Sequence, residues 1–353
     1  MKTCKAAVFS GNGRDLEIKS FPIPKLQPGE LLVQIEACTI CGSDLHTIEG
    51  KREEKTPTIL GHETIGTVID SGGSVYDFNH HELNLGDRIA WSVCISCFTC
   101  DRCQNGIPQK CRHLKKFGHE QISENAPLLG GFSERALLPA GAVSFKIPPE
   151  IESSIICPAN CATATVLASM EAAGQVQEKK VLILGSGMLG LTAGAYCSSR
   201  GAREILFVDR NEKRIELAKL FGASRVVSSL NGHLGAGSEN DFDLVFDFSG
   251  SAGLIQEAAA LMGVGGRLIL AGTVMPGPKV ELNPEYLVRK LNSIHGVHNY
   301  RPEHLSQAIL FLSEQKDCYP FDRLVEKSFE LDNINEGLEY AISRQPVRVM
   351  IKP

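Results

Sequence analysis

A chain of 353 residues exceeds what a single hydrophobic core usually fills, so two domains are the first expectation. Hydrophobic residues make up 43% and charged residues 22%, and the formal net charge is only −5 with both signs mixed, which leaves no broad basic field for a nucleic-acid backbone. The opening MKTCKAAVFSGNGR lacks the apolar run of a signal peptide, and the apolar stretches are broken by glycine or charge, so a cytoplasmic protein without a membrane span is expected.

Residues 1 to about 150 hold many glycines and prolines between short β-rich segments. Residues 31–38 and 64–69 read as strands, and Gly86-Asp87-Arg88 as a turn before another, with a structural ion pair as sufficient reason for Asp87 and Arg88. The absence of long amphipathic helices points to an irregular, partly barrel-like domain. The character changes near Glu150. A helix is expected over 162–173, then strand 180–184, helix 189–199, strand 204–208, helix 213–221 and strands 242–246 and 267–271. Such alternation argues for a parallel α/β sheet. Residues 232–238 read as a local loop, 302–314 as a helix and 347–351 as a final strand that returns to the first domain. The expected division is 1–153, 154–295 and 296–353.

The segment from Val181 to Gly190 has the strand–turn–helix form of a dinucleotide site. Gly185 permits the turn, Gly187 the approach of a diphosphate, and Gly190 close helix–strand packing, while amides at the helix start (Met188, Leu189) face the anion. Asp209, 19 residues after Gly190, is placed to accept hydrogen bonds from the adenosine ribose, favouring NAD(H) over NADP(H), with Arg210 as a neighbouring cation that softens the preference. The alternative is a tight structural turn with a capping Asp.

Of the 12 cysteines, Cys97, Cys100, Cys103 and Cys111 form a compact group suited to one structural Zn2+, with free thiols, disulfides or an iron–sulfur cluster as alternatives. Cys41, His62 and Cys161 make a candidate three-ligand set with an open fourth position, although Cys38, Cys94 and Cys157 are competing thiols.

The order of these features resembles the zinc-containing medium-chain alcohol and polyol dehydrogenases: Cys41-Gly42-Ser43-Asp44-x-His46, Gly61-His62-Glu63, the four-cysteine lobe, Cys161, then the glycine turn. The resemblance implies a GroES-like β-rich catalytic domain and a doubly wound Rossmann cofactor domain, with the active site in the cleft between them. It carries Cys41, His62 and Cys161 to a catalytic zinc, and the four-cysteine group to a structural one. It makes Ser43 the hydroxyl that bonds substrate, His46 the outer end of a proton relay, Glu63 and Asp44 supports around the metal, and Arg348 a diphosphate contact. Trp91, Asn160 and His119 are candidates for the substrate pocket, of which Trp91 and Asn160 are kept and His119 is set aside as surface polar structure. Gly42 matches polyol and threonine-type relatives, whereas those polyol enzymes often have glutamate where Cys161 stands. Gly118-His119-Glu120, Gly130-Gly131-Phe132-Ser133-Glu134 and Pro158-Ala159-Asn160-Cys161 resemble a bacterial subgroup associated with phosphonate catabolism.

The expected activity is hydride exchange between NAD(H) and a small secondary alcohol or polyol. The alternatives are a primary alcohol or aldehyde enzyme for a hydroxyalkylphosphonate or similar small anion, and a non-catalytic nucleotide-binding protein. The expected partners are a small-molecule alcohol or carbonyl and further copies of the chain, as a homodimer or homotetramer paired through an edge strand of the cofactor domain.

Overall fold

A computed structural model of the chain describes residues 3–11, 15–124, 126–230 and 241–353. The expected loop at 232–238 lies outside them. The chain divides into two compact units, one comprising Met1–Ala164, Arg301–Asp317 and Phe321–Pro353, the other Thr165–Tyr300 and Cys318–Pro320.

The first unit is β-rich. Its largest sheet has seven strands, with Leu31–Thr39 at the centre, paired antiparallel with Glu63–Ser71, Arg135–Leu138 and the C-terminal Arg348–Lys352. Strand Leu31–Thr39 is buried along its length except at Gln34 and Glu36, which are partly exposed, as suits a central strand. Its pairing with Glu63–Ser71 slips register at two places, and such irregularities bend a strand. Two apolar clusters fill the unit, one around Phe9, Leu60 and Phe132, the other around Val33, Trp91 and Phe117.

The second unit is built on a six-stranded sheet in which every pair is parallel. From edge to edge the strands are Arg225–Val227, Glu204–Val208, Lys180–Leu184, Phe242–Asp247, Met262–Leu270 and Ser293–Gly296. Numbered by position in the chain, that is the 3-2-1-4-5-6 order of doubly wound dinucleotide folds. Val181–Leu184 and Ile205–Val208 are uninterrupted apolar runs, almost completely buried, as expected where helices cover both faces of a parallel sheet.

The expected elements and the observed ones agree in type. Ends differ by a residue or two in most cases, and the strand expected at 267–271 begins earlier, at Met262–Leu270. The first unit runs past the expected change at residue 153 because the 3-10 turn Cys157–Asn160 is bonded into its strands: the Asn160 amide binds Thr64 N and O and the Trp91 carbonyl at 3.0–3.3 Å. Asp87 and Arg88 do not pair with each other. Asp87 meets Lys146 at 2.8 Å and Arg88 meets Glu36 at 2.6 Å. Among the described residues no single helix is long and apolar enough to cross a membrane.

The glycine turn shows how tightly sequence and packing are linked. A Cβ on Gly190 would lie 1.9 Å from the Gly185 carbonyl oxygen, whereas one on Gly253 would have nothing within 4 Å. Gly190→Ala is therefore expected to lower stability in urea by about 2 kcal/mol or more, while Gly253→Ala, in helix Ala252–Ala260, is neutral or stabilising by up to about 1 kcal/mol. Equal effects from the two changes would contradict the close approach at Gly190.

Candidate metal centres and nucleotide turn

The first centre begins with helix Gly42–Ile48 and the extended residue before it, Cys41. Asp44, fully buried, accepts the Cys41 N–H on one oxygen at 2.9 Å and the Gly61 N–H on the other at 3.2 Å. One carboxylate thus binds the backbone of two separate segments. Its Oδ1 also lies 3.4 Å from His62 Nδ1, a charge contact outside hydrogen-bond geometry. A carboxylate behind a ligand imidazole orients the ring and raises its basicity.

Cys161 comes from the turn that Asn160 fixes. Cys41, His62 and Cys161 converge, their donor atoms all within 4.8 Å of one another. The competing thiols stay apart from them. Cys38 lies 3.2 Å from Thr64 Oγ1, Cys157 donates to the Glu63 and Ala37 carbonyls at 3.0 and 3.4 Å, and Cys94 is buried with its thiol pushed up to about 11.

Beside the trio is a buried ion pair. Arg348 grips Glu63 through Nε and Nη2 at 2.7 and 2.8 Å, and Thr39 Oγ1 donates to the same carboxylate at 2.6 Å. Nη2 also lies 3.9 Å from Cys41 Sγ. The hydrogen bond with Cys161, followed by the Arg348 charge and His62, outweighs burial and draws the Cys41 thiol well below its usual range. Cys161 is pushed up in turn. For His62, burial works against the charged form, but the Asp44 carboxylate and Cys41 raise it well above its ordinary value. Burial pushes the Glu63 carboxyl up, with Arg348 pulling the other way.

Ser43 Oγ reaches His62 Nε2 at 3.4 Å. His46 stands three residues further along the same short helix, so the two side chains share a face. Its ring is half-buried, and burial lowers its pKa.

The second centre is the lobe around Asp101–Gln104. Cys100 Sγ is 3.5 Å from Cys103 Sγ and 3.9 Å from Cys111 Sγ, and Cys111 is 3.4 Å from Cys97. A tetrahedron with Zn–S bonds of 2.3 Å has sulfur–sulfur edges of about 3.8 Å. Backbone N–H groups of Cys97, Cys100 and His113 point at these sulfurs from 3.3–3.4 Å. Hydrogen bonds from Thr99 and the Cys100 amide draw the Cys97 thiol down to about 5, whereas desolvation and its sulfur neighbours push Cys103 up to about 12. None of the 12 cysteines is joined in a disulfide, so the disulfide alternative does not hold.

In the second unit, Gly185 takes a left-handed φ of +93° and Gly187 caps helix Met188–Ser199. A Cβ on Gly187 would meet nothing closer than 3.9 Å, so that face of the turn is open to an approaching group. Met188 and Leu189 begin the helix there. Asp209 accepts the Ser186 N–H at 2.6 Å and the Asn211 N–H at 2.9 Å, and Arg210 beside it is exposed. Asp247, at the end of the neighbouring strand, organises a parallel turn by accepting from Ser249 and Gly250.

Three placements depart from the sequence reading. Trp91 is 1% exposed and packs edge-on against Phe117 in the core. Asn160 is spent on the backbone of strands Glu63–Ser71 and Arg88–Trp91, where it positions Cys161. Arg348, read as a diphosphate contact, is buried against Glu63 and the metal trio. The sequence reading weighs His119 for the substrate pocket and leaves it out of the site, and it passes over Glu54. Their side chains meet at 2.8 Å, and the His119 ring lies 4.9 Å from that of His62. Gly118-His119-Glu120 was visible as a motif, but Glu54 sits in a charged run with no spacing to single it out.

Fold and donor sets together define a class of two-domain, zinc-binding dehydrogenases. The sequence profile of the alcohol dehydrogenase GroES-like domain matches residues 27–149, and that of the zinc-binding dehydrogenase domain matches residues 189–314. The chain belongs to the zinc-containing medium-chain dehydrogenase/reductase family. It is 28% identical over 356 residues to the 5-exo-hydroxycamphor dehydrogenase of Pseudomonas putida, covering 96% of each chain. It is 29% identical over 349 residues to the L-threonine 3-dehydrogenase of Shewanella oneidensis, covering 94% of each. The crystal structure of an alcohol dehydrogenase from Thermotoga maritima superposes over 100% of both chains with a TM-score of 0.93 at 25% identity. None of these names refers to a phosphonate.

Removing one partner of a buried, hydrogen-bonded ion pair leaves the other charge stranded. Arg348→Met is expected to cost about 3–5 kcal/mol in urea denaturation, with much of that restored by adding Glu63→Gln. A loss below about 1 kcal/mol would show that the pair does not constrain the site.

Proposed function

We propose that the chain is a zinc-dependent oxidoreductase that exchanges a hydride between a nicotinamide cofactor, NAD(H) in preference to NADP(H), and a small secondary alcohol or polyol and its ketone. The observation that carries this reading is the convergence of Cys41, His62 and Cys161 beside the buried Glu63–Arg348 ion pair. Two thiols and an imidazole, with no fourth side chain among the described residues, suit a catalytic zinc with room for a substrate oxygen. The four sulfurs of the lobe suit a closed, structural zinc. When bound, the catalytic zinc supplies Lewis acidity to an alcohol or carbonyl oxygen, and the nicotinamide takes or gives the two electrons.

The remaining work falls to the chain's own groups. Ser43 hydrogen-bonds a hydroxyl brought to the trio and relays its proton, receiving it while passing its own on toward His46. His46, one turn on and half-buried, exchanges that proton with solvent. Asp44 aims His62. Glu63 works through Arg348 to set the charge around Cys41 and is a positioning residue.

In the second unit, Gly185, Gly187, Met188, Leu189 and Gly190 are the residues that receive the diphosphate. Asp209 supports NAD(H), since a 2′-phosphate beside its carboxylate meets like charge, while Arg210 moderates the effect. The proposal also takes the first unit, which includes Cys161, as the catalytic domain and the second as the cofactor domain, in place of the expected division at residues 153 and 295. Assembly is proposed as a homodimer or homotetramer through an edge strand of the six-stranded sheet.

Two substitutions test this. Cys161→Ala should reduce zinc from about two ions per chain to about one and cut turnover by about a thousandfold or more. Both zinc ions and normal turnover surviving the change would remove Cys161 from the ligand set. Asp209→Asn should raise the ratio of kcat/KM with NADP to that with NAD by about tenfold, read from reduced-cofactor absorbance. An unchanged ratio would count against the ribose assignment.

A further inference from the structure

The ladder between strands Glu63–Ser71 and Arg88–Trp91 stops one pair short. Its register sets Thr67 against Arg88, Gly66 against Ile89 and Ile65 against Ala90, so the next pair would be Thr64 with Trp91. The backbone does not make that rung, and the fully buried amide of Asn160 stands in its place. Its Oδ1 accepts the Thr64 N–H at 3.3 Å, and its Nδ2 donates to the Thr64 and Trp91 carbonyls, both at 3.0 Å. The partners leave no choice of orientation, because one can only donate and two can only accept. A serine hydroxyl carries one proton and an aspartate carboxylate none, so neither could make the set. A side-chain amide offers the same groups as a peptide unit.

This clamp sits between two of the three converging donors. Thr64 follows His62 by two residues on one side, and Cys161 follows Asn160 directly on the other. The turn Cys157–Asn160 is tied to the same peptide unit twice, since Cys157 Sγ donates to the Glu63 carbonyl at 3.0 Å while Asn160 takes the Thr64 N–H. Cys161, at the end of the turn, has a φ of −136° and a ψ of −76°, values that neither a helix nor a strand would hold for it. Its position therefore depends on what anchors the residues before it. Ligand distances at a metal site are set to within about 0.2 Å, which a short irregular turn does not deliver unaided.

We propose that Asn160 is a positioning residue of the metal trio, its amide replacing the missing rung so that Cys161 is held beside Cys41 and His62 before any metal arrives. This deepens the reading of the trio as a zinc site and rests on it. Two consequences separate the role from general support of the fold. The clamp serves the trio alone, because the four-sulfur lobe is held by backbone N–H groups of its own, so loss of the amide loosens one zinc and not the other. The donors also stay gathered in the metal-free protein, so the trio's zinc can be withdrawn and returned without refolding.

The test follows zinc passing from the loaded full chain to a chromophoric chelator, in the unmodified protein, Asn160→Leu, Asn160→Asp and Leu138→Ala. Leucine keeps the shape of the amide without its hydrogen bonds, and aspartate keeps the acceptor but not the donors. Leu138→Ala removes a buried side chain elsewhere in the same unit and serves as the control for lost stability. Cys161→Ala, which spares the lobe, marks which of the two zinc ions is which. Affinity for the trio's zinc is expected to fall about 10- to 100-fold in both Asn160 variants, with the lobe's zinc unmoved and both sites unchanged in Leu138→Ala. Unchanged affinity in the Asn160 variants, or an equal fall in Leu138→Ala, would overturn the proposal and leave the trio as a zinc site. A measurement on the unmodified protein needs no variant to fold. After removal of the trio's zinc, the Thr64 amide proton is expected to stay protected from hydrogen exchange. Rapid exchange would show that the metal organises the turn and would overturn the proposal. An unmodified protein that binds zinc in the lobe alone would instead refute the reading of the trio, and the proposal with it.

Discussion

Buried charge is costly in a protein interior unless its partners are fixed, and the first unit organises its metal trio around that constraint. Two carboxylates with almost no exposure, Asp44 and Glu63, lie next to residues that must themselves become anionic to hold a metal. Asp44 is satisfied by backbone N–H groups from two segments, and Glu63 by the fork of Arg348 and the Thr39 hydroxyl. Neither carboxylate can be met by a single local stretch of chain. Residues 39–44, 61–63 and 348 must be assembled together, and the C-terminal strand is paired beside Leu31–Thr39 where Arg348 can serve. The fold of this unit is in that sense a device for neutralising one small volume.

The second unit meets a different constraint with similar means. A turn that receives a diphosphate must expose backbone N–H groups and exclude side chains, which leaves it short of internal contacts. Asp209 and Asp247, at the ends of adjacent elements, supply those contacts by accepting backbone N–H groups from the turns around them. Asp209 therefore has a structural task whether or not it also meets a ribose. Gly190 serves the same end from the helix side, allowing contact with the Gly185 carbonyl that any Cβ would block.

Much of this was legible in the chain, for identifiable reasons. Continuous apolar runs and the glycine spacing carry the parallel sheet and its turn, because burial on both faces and a tight strand–helix junction impose local patterns. The four-cysteine lobe is equally local. The trio's two cysteines were chosen among five plausible thiols by resemblance to a family, and the geometry separates Cys41 and Cys161 from Cys38, Cys94 and Cys157. What sequence could not show was long-range pairing of polar groups. Trp91 and Asn160 looked like pocket residues because they lie beside motif residues in the chain, but neighbourhood in sequence does not say which way a side chain is spent. Arg348 and Glu63 are 285 positions apart, and His119 meets Glu54 across 65. No periodicity links such positions. Only closure of the sheet and the packing of Gly118 on Gly61 bring them together.

The central claim, that side chains distant in sequence close around one metal ion at the reacting site, is tested most directly by anomalous diffraction at the zinc edge from crystals of the purified protein. The account predicts two peaks in each chain, one inside the four-sulfur lobe and one bonded to Cys41, His62 and Cys161 with at least one further coordination position turned to solvent or ligand. A peak in the lobe alone, from protein saturated with zinc, would contradict it.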